Sequence, residues 1–455
     1  MSLTQEPAIP LYEEVVNGYH TLSASGTDSE SSDLRRARQS AFDKFRLFGF
    51  PSIRNEDWKY TNITRFLKDE FALDGLLPGA GEQVVVSGDQ LAKAAIPGLD
   101  CYQLVLVNGV WDGKIIGGPL PKGIDIFRVA DILNKPQFAV YFEDGKWGNQ
   151  SFANLNTALF TDGLFIGVDG AIAKPLHIVH IYSADRNLMI QPRHVWVCNP
   201  NSELNVIESI VSDGGASGGG DGVGAKIWVN SLTEVFVNRD ARLDHTVIQT
   251  ASAGARLVQH TTVRQKKQSL YNNYTFTLPG ADLVRNDLQA RLEEDHTETH
   301  LYGLYLTAGG QLVDNHTLVD HQKPHCYSNE LYKGVLLEQS TGVFNGKVYV
   351  HKDAQKTNAF QQNNNLVISK KATIDSKPEL EIYADDVKCS HGSTVGQFSE
   401  EALFYLRARG LGEETAKALL INAFAFDVTE KIKNKAVETY VNELIRYHIP
   451  TSTPI

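Results

Sequence analysis

The stretch Leu380 to Gly410, LEIYADDVKCSHGSTVGQFSEEALFYLRARG, separates two kinds of structure in this 455-residue chain. Before it the residues alternate as strands. After it they repeat at helical spacing. It also carries Cys389, one of four cysteines, and His391 two residues on. The junction of the two architectures is therefore also where the reactive side chains gather.

Upstream, from about Leu176, the segments HIVHIYS, HVWVCNP, ELNVIESIV, KIWVNSLTEVFVN and DHTVIQT are rich in β-branched residues with period-2 stretches. A weak repeat, ARLD, ARLV, ADLV, GQLV, TGVF and ATID, places Leu243, Leu257, Leu283, Leu312, Val343 and Ile374 at intervals of 14, 26, 29, 31 and 31. Periods settling near that length suggest stacked units, none of which buries its apolar side alone. The expectation is a β-solenoid, with a two-sheet sandwich as the alternative. The polar run Gln361 to Asn365 fits a corner. The Gly-rich GGASGGGDGVG, Gly214 to Gly224, lies between strands and lacks a GK[ST] ending, so it is a loop and no phosphate cradle.

Downstream, Ser399 followed by Glu400 and Glu401 starts a helix that stops at Gly410. A second helix opens at Glu413, with Ala416, Leu419, Leu420, Ala423, Phe424 and Phe426 as its apolar face, and a third ends before Pro450. This tail is too short for a core of its own, so its apolar surface must meet the solenoid or a partner. At the other end two helices are expected between Pro10 and about Phe48, the second capped by Ser32 or Asp33, with short strands from about Gln83 to Val129. Between them Arg54-Asn-Glu-Asp-Trp-Lys-Tyr-Thr61 reads as a Trp/Tyr anchor with a salt-bridge rim. The divisions are 1–150, N-terminal helical and α/β; 151–397, solenoid; and 398–455, helical.

An apolar fraction of 42% and a charged fraction of 21% describe a globular chain, and a formal charge of −11 disfavours nucleic acid. Cys101, Cys198, Cys326 and Cys389 are too scattered for a disulfide framework or a local zinc site. With no apolar run long enough to span a bilayer and no basic-flanked leader, a cytoplasmic location without membrane contact is expected.

Two groups could carry chemistry. Asp314 to Cys326 contains His316, His321, His325 and Cys326, which suit a soft or borderline metal but also suit hydrogen bonding between rungs. On an extended segment Cys389 and His391 share a face. A thiol–imidazole pair can act as a nucleophile, but neither an orienting third group nor an oxyanion site accompanies it, so among chemical roles donation to a sulfide or iron species fits better, while the residues alone favour a buried cysteine and a hydrogen-bonded histidine that end the sheet.

Taken together, RNEDWKYT, DNHTLVDHQKPHCYSNELYKGVL, STGVFNGKVYVHKDAQKTNAFQQNNNL, KPELEIYADDVKCSHGSTVG and FYLRARGL resemble, in the same order over roughly residues 50 to 430, the SufB/SufD family of the SUF iron–sulfur cluster assembly system. The DDVKCSHG form looks like the SufD branch. The resemblance implies a mainly β fold, a right-handed parallel β-helix flanked by N-terminal α/β and C-terminal helical regions. It implies a non-catalytic subunit partnered by a SufB-type scaffold and by a SufC-type ABC ATPase docked on the C-terminal helices. A transient Fe–S cluster or iron would sit at the heterodimer interface, with a part in iron acquisition and no nucleotide bound by this chain. His391 would be the residue contributed to that site, Cys389 a weaker candidate and Cys326 weaker still. A homodimer is expected when the chain is alone. The rival readings are a carbohydrate-acting solenoid enzyme, for which no paired carboxylates are apparent, and a metal-binding homodimer using His316, His321 and Cys326.

Overall fold

The computed structural model describes residues 9–25, 30–73, 88–142, 148–213 and 224–449. Two helices, α1 (Pro10–Ser25) and α2 (Ser32–Phe48), open the described chain. After α3 (Gly88–Ala94) come β1 (Tyr102–Val107), β2 (Val110–Trp111), β3 (Ile124–Arg128), the short α4 (Pro136–Ala139) and α5 (Ser151–Leu159). The strands then run without a helix: β4 (Leu164–Val168), β5 (Leu176–Ser183), β6 (Leu188–Ile190), β7 (Arg193–Cys198), β8 (Glu203–Asp213), β9 (Ile227–Val237), β10 (Arg242–Gln249), β11 (Ala255–Gln265) and β12 (Leu270–Thr277). They continue as β13 (Leu283–Leu292), β14 (Glu298–Thr307), β15 (Leu312–His321), β16 (Tyr327–Leu336), β17 (Thr341–Val350), β18 (Asn358–Val367), β19 (Thr373–Ile382) and β20 (Lys388–Gly396). Three helices follow, α6 (Glu400–Ala408), α7 (Glu413–Thr429) and α8 (Lys435–His448).

From β8 onward successive strands alternate between two sheets, and each pairs in parallel with the strand two places on. One sheet is ordered β2-β1-β5-β8-β10-β12-β14-β16-β18-β20, the other β19-β17-β15-β13-β11-β9-β7-β4-β3, with β6 beside β9. This is a β-solenoid of about eight turns. Register pairs Arg256 with Leu283, Leu283 with Leu312, Leu312 with Thr341 and Thr341 with Thr373, steps of 27, 29, 29 and 32 residues. The sequence repeat had the right length but a mixed phase. Leu243 lies in the opposite sheet from Leu257, so their interval of 14 is half a turn. Leu257 faces the interior whereas Leu283, Leu312 and Val343 face outward, because an offset of one residue reverses a strand side chain.

The outward apolar residues are covered by the two helical layers. On one sheet Trp228, Val258, Leu283, Leu312 and Val343 pack under α1, α2 and α5 with Phe42, Phe45, Trp58 and Phe152. On the other, Ile207, Ile248, Phe276, Leu304 and Val335 pack under α7 and α8. Each such aromatic or aliphatic side chain, fully buried, contributes about 1.5–3 kcal/mol. The face α7 turns to the sheet is Ala418, Ile421, Ala425 and Val428, a 3-4-3 spacing; Ala423 is exposed and Phe426 is 49% exposed, contrary to the face expected.

Local chemistry accounts for other departures. Ser31, not Ser32 or Asp33, caps α2, its Oγ accepting from the Leu34 N–H at 3.2 Å. Gly88–Ala94 is a helix where strands were expected. The Asn108-Gly109 turn closes β1 and β2 with both residues at positive φ (49° and 85°), as a two-residue hairpin requires. Gln361 to Asn365 is no corner: it lies within β18, with Gln361, Asn363 and Asn365 buried inside the solenoid. Their amides are tolerated there because they bond to one another and to neighbouring rungs. The Gly-rich stretch 214–223 lies outside the described residues. Among the described residues no helix is long and apolar enough to cross a membrane.

Candidate functional site at the open end of the solenoid

Rungs are covered on both sides until the last one. In β18 the inward residues Ala359, Gln361, Asn363 and Asn365 are at most 2% exposed. Their register partners on β20 are Cys389, His391, Ser393 and Val395. Parity therefore puts these four on the interior side of the terminal rung. None is buried, and Val395 is 57% exposed, because among the described residues β20 has β18 as its one ladder partner.

Within this end a polar network is assembled. Asn365 donates Nδ2–H to Asn363 Oδ1 at 2.6 Å, and Ser376 of β19 donates its hydroxyl to the same oxygen at 2.7 Å. Ser376 and Ser393 hydroxyls are 2.8 Å apart. Since the single Ser376 proton goes to Asn363, Ser393 is the donor in that pair. From the same strand Gln361 donates Nε2–H to the carboxyl of Glu330, one rung down on β16, at 2.7 Å.

The sequence candidates fare differently. His391 is exposed at the open end. Cys389 shares its face but is half-buried in an apolar corner with Val348, Val350, Ala354, Ala359 and Leu380. Burial pushes its thiol pKa up, with a small opposing effect from a backbone hydrogen bond of Ala359. A raised pKa lowers the fraction of thiolate, the form that acts as a nucleophile. Cys326 is 1% exposed, accepts from the Thr297 hydroxyl at 3.0 Å, and its pKa too is raised by burial. It sits two rungs below Val387 in a corner, through Asn358 N–H to Cys326 O and Lys388 N–H to Thr357 O. At about 4.8 Å per rung it is some 10 Å below the end.

The histidine-rich group is not gathered at one point. His316 contacts Asp314 at 3.1 Å on an outer face, and His321 bonds inside to Ser328 at 2.9 Å, burial lowering its pKa to about 3. His296 and His325 stack at 4.9 Å, each at positive φ (60° and 61°) in a corner ladder shared with Gln268 and Lys356. Among the described residues no three His, Cys, Asp or Glu side chains are grouped to hold a metal ion.

Two interior acids were missed. Glu208 accepts from His180 and His245, each at 2.7 Å, and Glu330 carries Gln361. Burial alone would raise the Glu208 pKa; the two imidazole hydrogen bonds reverse this and hold it well below the usual range. Among the described residues no cation pairs with Glu330, and burial raises its pKa to about 7. The available signal was an acid on an inward strand position. The partners are 28, 37 and 31 residues away and could not be named without the register.

The fold is a β-solenoid whose terminal rung is uncovered, and comparison with known proteins names the family. Residues 12–178 match the SufBD protein N-terminal region, and residues 180–424 match the SufBD core domain of SUF system FeS cluster assembly. The chain belongs to the SufBD family of iron–sulfur cluster assembly proteins. A SufBD family protein of Synechocystis is 34% identical over 415 residues, 90% of this chain and 89% of its own length. The iron–sulfur cluster assembly protein SufD of Escherichia coli is 29% identical over 437 residues, 95% and 96% of the two chains. A chloroplastic protein of Arabidopsis thaliana, ABCI7, is 28% identical over 436 residues, 91% and 86%.

Proposed function

We propose that the chain is the SufD-type, non-catalytic subunit of a cytoplasmic SUF scaffold complex, with a SufB-type partner across the open solenoid end and a SufC-type ATPase on the C-terminal helices. The nascent Fe–S cluster, as cargo, is built at the first interface with His391 as this chain's ligand, and iron acquisition occurs there. The proposed divisions are 1–150, whose helices brace the solenoid and whose β1, β2 and β3 extend its sheets, 151–397, the solenoid, and 398–455, the ATPase-docking helices.

The observation that carries this reading is the uncovered terminal rung. An edge strand with free backbone groups and an apolar residue such as Val395 is a template for another chain. A second strand laid on β20 encloses His391 between two chains. An imidazole nitrogen is a suitable iron ligand, and enclosure keeps water from the forming cluster. The second contact is supported by α6, which buries no residue and leaves Phe404 74% and Tyr405 56% exposed.

The test is His391→Ala in the reconstituted three-protein complex under anaerobic conditions. Complex recovery should be unchanged and cluster absorbance lost; an undiminished cluster yield removes His391 from the site.

A further inference from the structure

Leu301, Glu330, Gln361 and His391 occupy one column of register partners running up the interior to the open end. Glu330 and Gln361 are each 1% exposed. The Gln361 amide is bound on one side only: its Nε2–H is committed to Glu330, and its Oε1 is buried with, among the described residues, no hydrogen-bond partner. An unmet buried carbonyl forfeits the hydrogen bond that water would give it, so its retention one rung beneath an imidazole asks for an explanation.

Space for this arrangement is also built in. Gly346, on the facing sheet, has no side chain, and a Cβ there would lie 2.5 Å from Gln361 Nε2. The glycine leaves room for the amide to lie flat toward Glu330. Besides Gln361, Glu330 has Thr317 and Tyr332 as polar neighbours and, among the described residues, no basic partner.

We infer that Glu330 and Gln361 are positioning residues for His391: the carboxyl orients the amide so that its Oε1 accepts one ring N–H of His391, leaving the other ring nitrogen as a lone-pair donor to iron. A histidine that ligates a metal does so through one nitrogen, and the hydrogen bond made by the other sets which. Here that second bond comes from within the solenoid, along its axis, while the ligating side faces the partner chain. The inference rests on the proposed role of His391 for its purpose but not for its geometry.

The test is therefore made on the full-length chain alone, with 15N-histidine labelling and long-range 1H–15N correlation spectra, His391→Ala identifying the signal. In the unmodified chain His391 should show a single dominant tautomer. Gln361→Leu should abolish that preference and Glu330→Leu should weaken it. Gln361→Glu and Glu330→Gln, which keep an acceptor in each place, should preserve it. Equal tautomer populations in the unmodified chain and Gln361→Leu overturn the inference, and should that variant not fold, loss of the preference in Glu330→Gln as fully as in Glu330→Leu does the same. In the reconstituted complex Gln361→Leu should lower cluster yield severalfold but add nothing to His391→Ala, since residues acting through one another are not additive. Failure of His391→Ala to affect clusters sinks the functional reading and leaves the spectra to decide the geometry.

Discussion

The guanidinium of Arg285 lies 3.8 Å from the centroid of the Trp58 ring, joining a strand of the solenoid to a segment 227 positions earlier. Arg285 also donates to the Asp57 carbonyl at 2.9 Å, to both carboxylate oxygens of Asp287, and to Asp314 at 2.5 Å. Thr61 donates its hydroxyl to the same Asp314 carboxylate. The dense RNEDWKYT motif is thus an anchor, and the first acid of DNHT serves it. Arg285→Met should destabilise the chain by roughly 3–5 kcal/mol, because Asp314 is left buried without its cation. Trp58→Ala should cost about as much through the cavity it leaves. Urea unfolding followed by tryptophan fluorescence reads the first; a loss below about 1 kcal/mol contradicts the anchor role.

Glu330 predicts a pH dependence of stability. Its folded-state pKa, raised to about 7 by burial, exceeds the value of 4.5 for a free carboxyl, so the folded chain holds a proton that the unfolded chain releases between those limits. Stability from this group is present below about pH 4.5 and lost as pH rises through 7, at roughly 1.4 kcal/mol per unit. Glu330→Gln should flatten that decline. Parallel stability–pH curves for the two proteins between pH 5 and 8 would count against the buried neutral carboxyl.

Glu208 has the opposite sign. Its pKa is depressed by His180 and His245 once their hydrogen bonds outweigh burial. The stability it supplies is present above the pKa of a free carboxyl and lost as pH falls toward its own. Glu208→Gln should lower the melting temperature at pH 7 and shrink that deficit below pH 4.5. A deficit independent of pH would show that the carboxylate charge is not what holds this cluster.

The exposed pair on α6 separates docking from folding. Phe404→Glu with Tyr405→Ser should change stability by no more than about 0.5 kcal/mol, as for other exposed positions, yet abolish co-purification of the ATPase. Retained co-purification moves the docking surface elsewhere. Truncation after Gln397 is a poorer test, because it strips Ile421, Ala425, Val441 and Ile445 from the sheet they cover.

Cys389 should behave as a half-buried thiol. Burial raises its pKa, so at pH 7.5 iodoacetamide should modify it more slowly than a cysteine in a short unstructured peptide. Cys389→Ser should lower cluster yield far less than His391→Ala. Faster modification than the peptide would restore the cysteine as a ligand candidate.

Much of this architecture is written in period and motif. Strand alternation ending at Gln397 and helical spacing beyond it mark the change of structure, and a step near thirty residues marks the turn length. The CSHG motif picks out Cys389 and His391. These are short-range or family-wide patterns, and local spacing carries them. The phase of the repeat, the role of Asp314 and the place of Gln361 were not available in this way. Each depends on which strands are neighbours and which side of a strand faces in, and one residue of register reverses that side.

By itself, then, the sequence determined a run of stacked strands with a helical tail and set a cysteine and a histidine at their junction, because residue type and spacing suffice for both, while the winding into a solenoid instead of a sandwich needed the strand pairing. Only the tertiary structure decided that Cys389 lies in an apolar corner while His391 stands over Gln361 and Glu330 at an uncovered end. Stacking brings together side chains some thirty positions apart, and burial then sets the protonation of Glu330, so neither the column nor its chemistry exists until the rungs are in register.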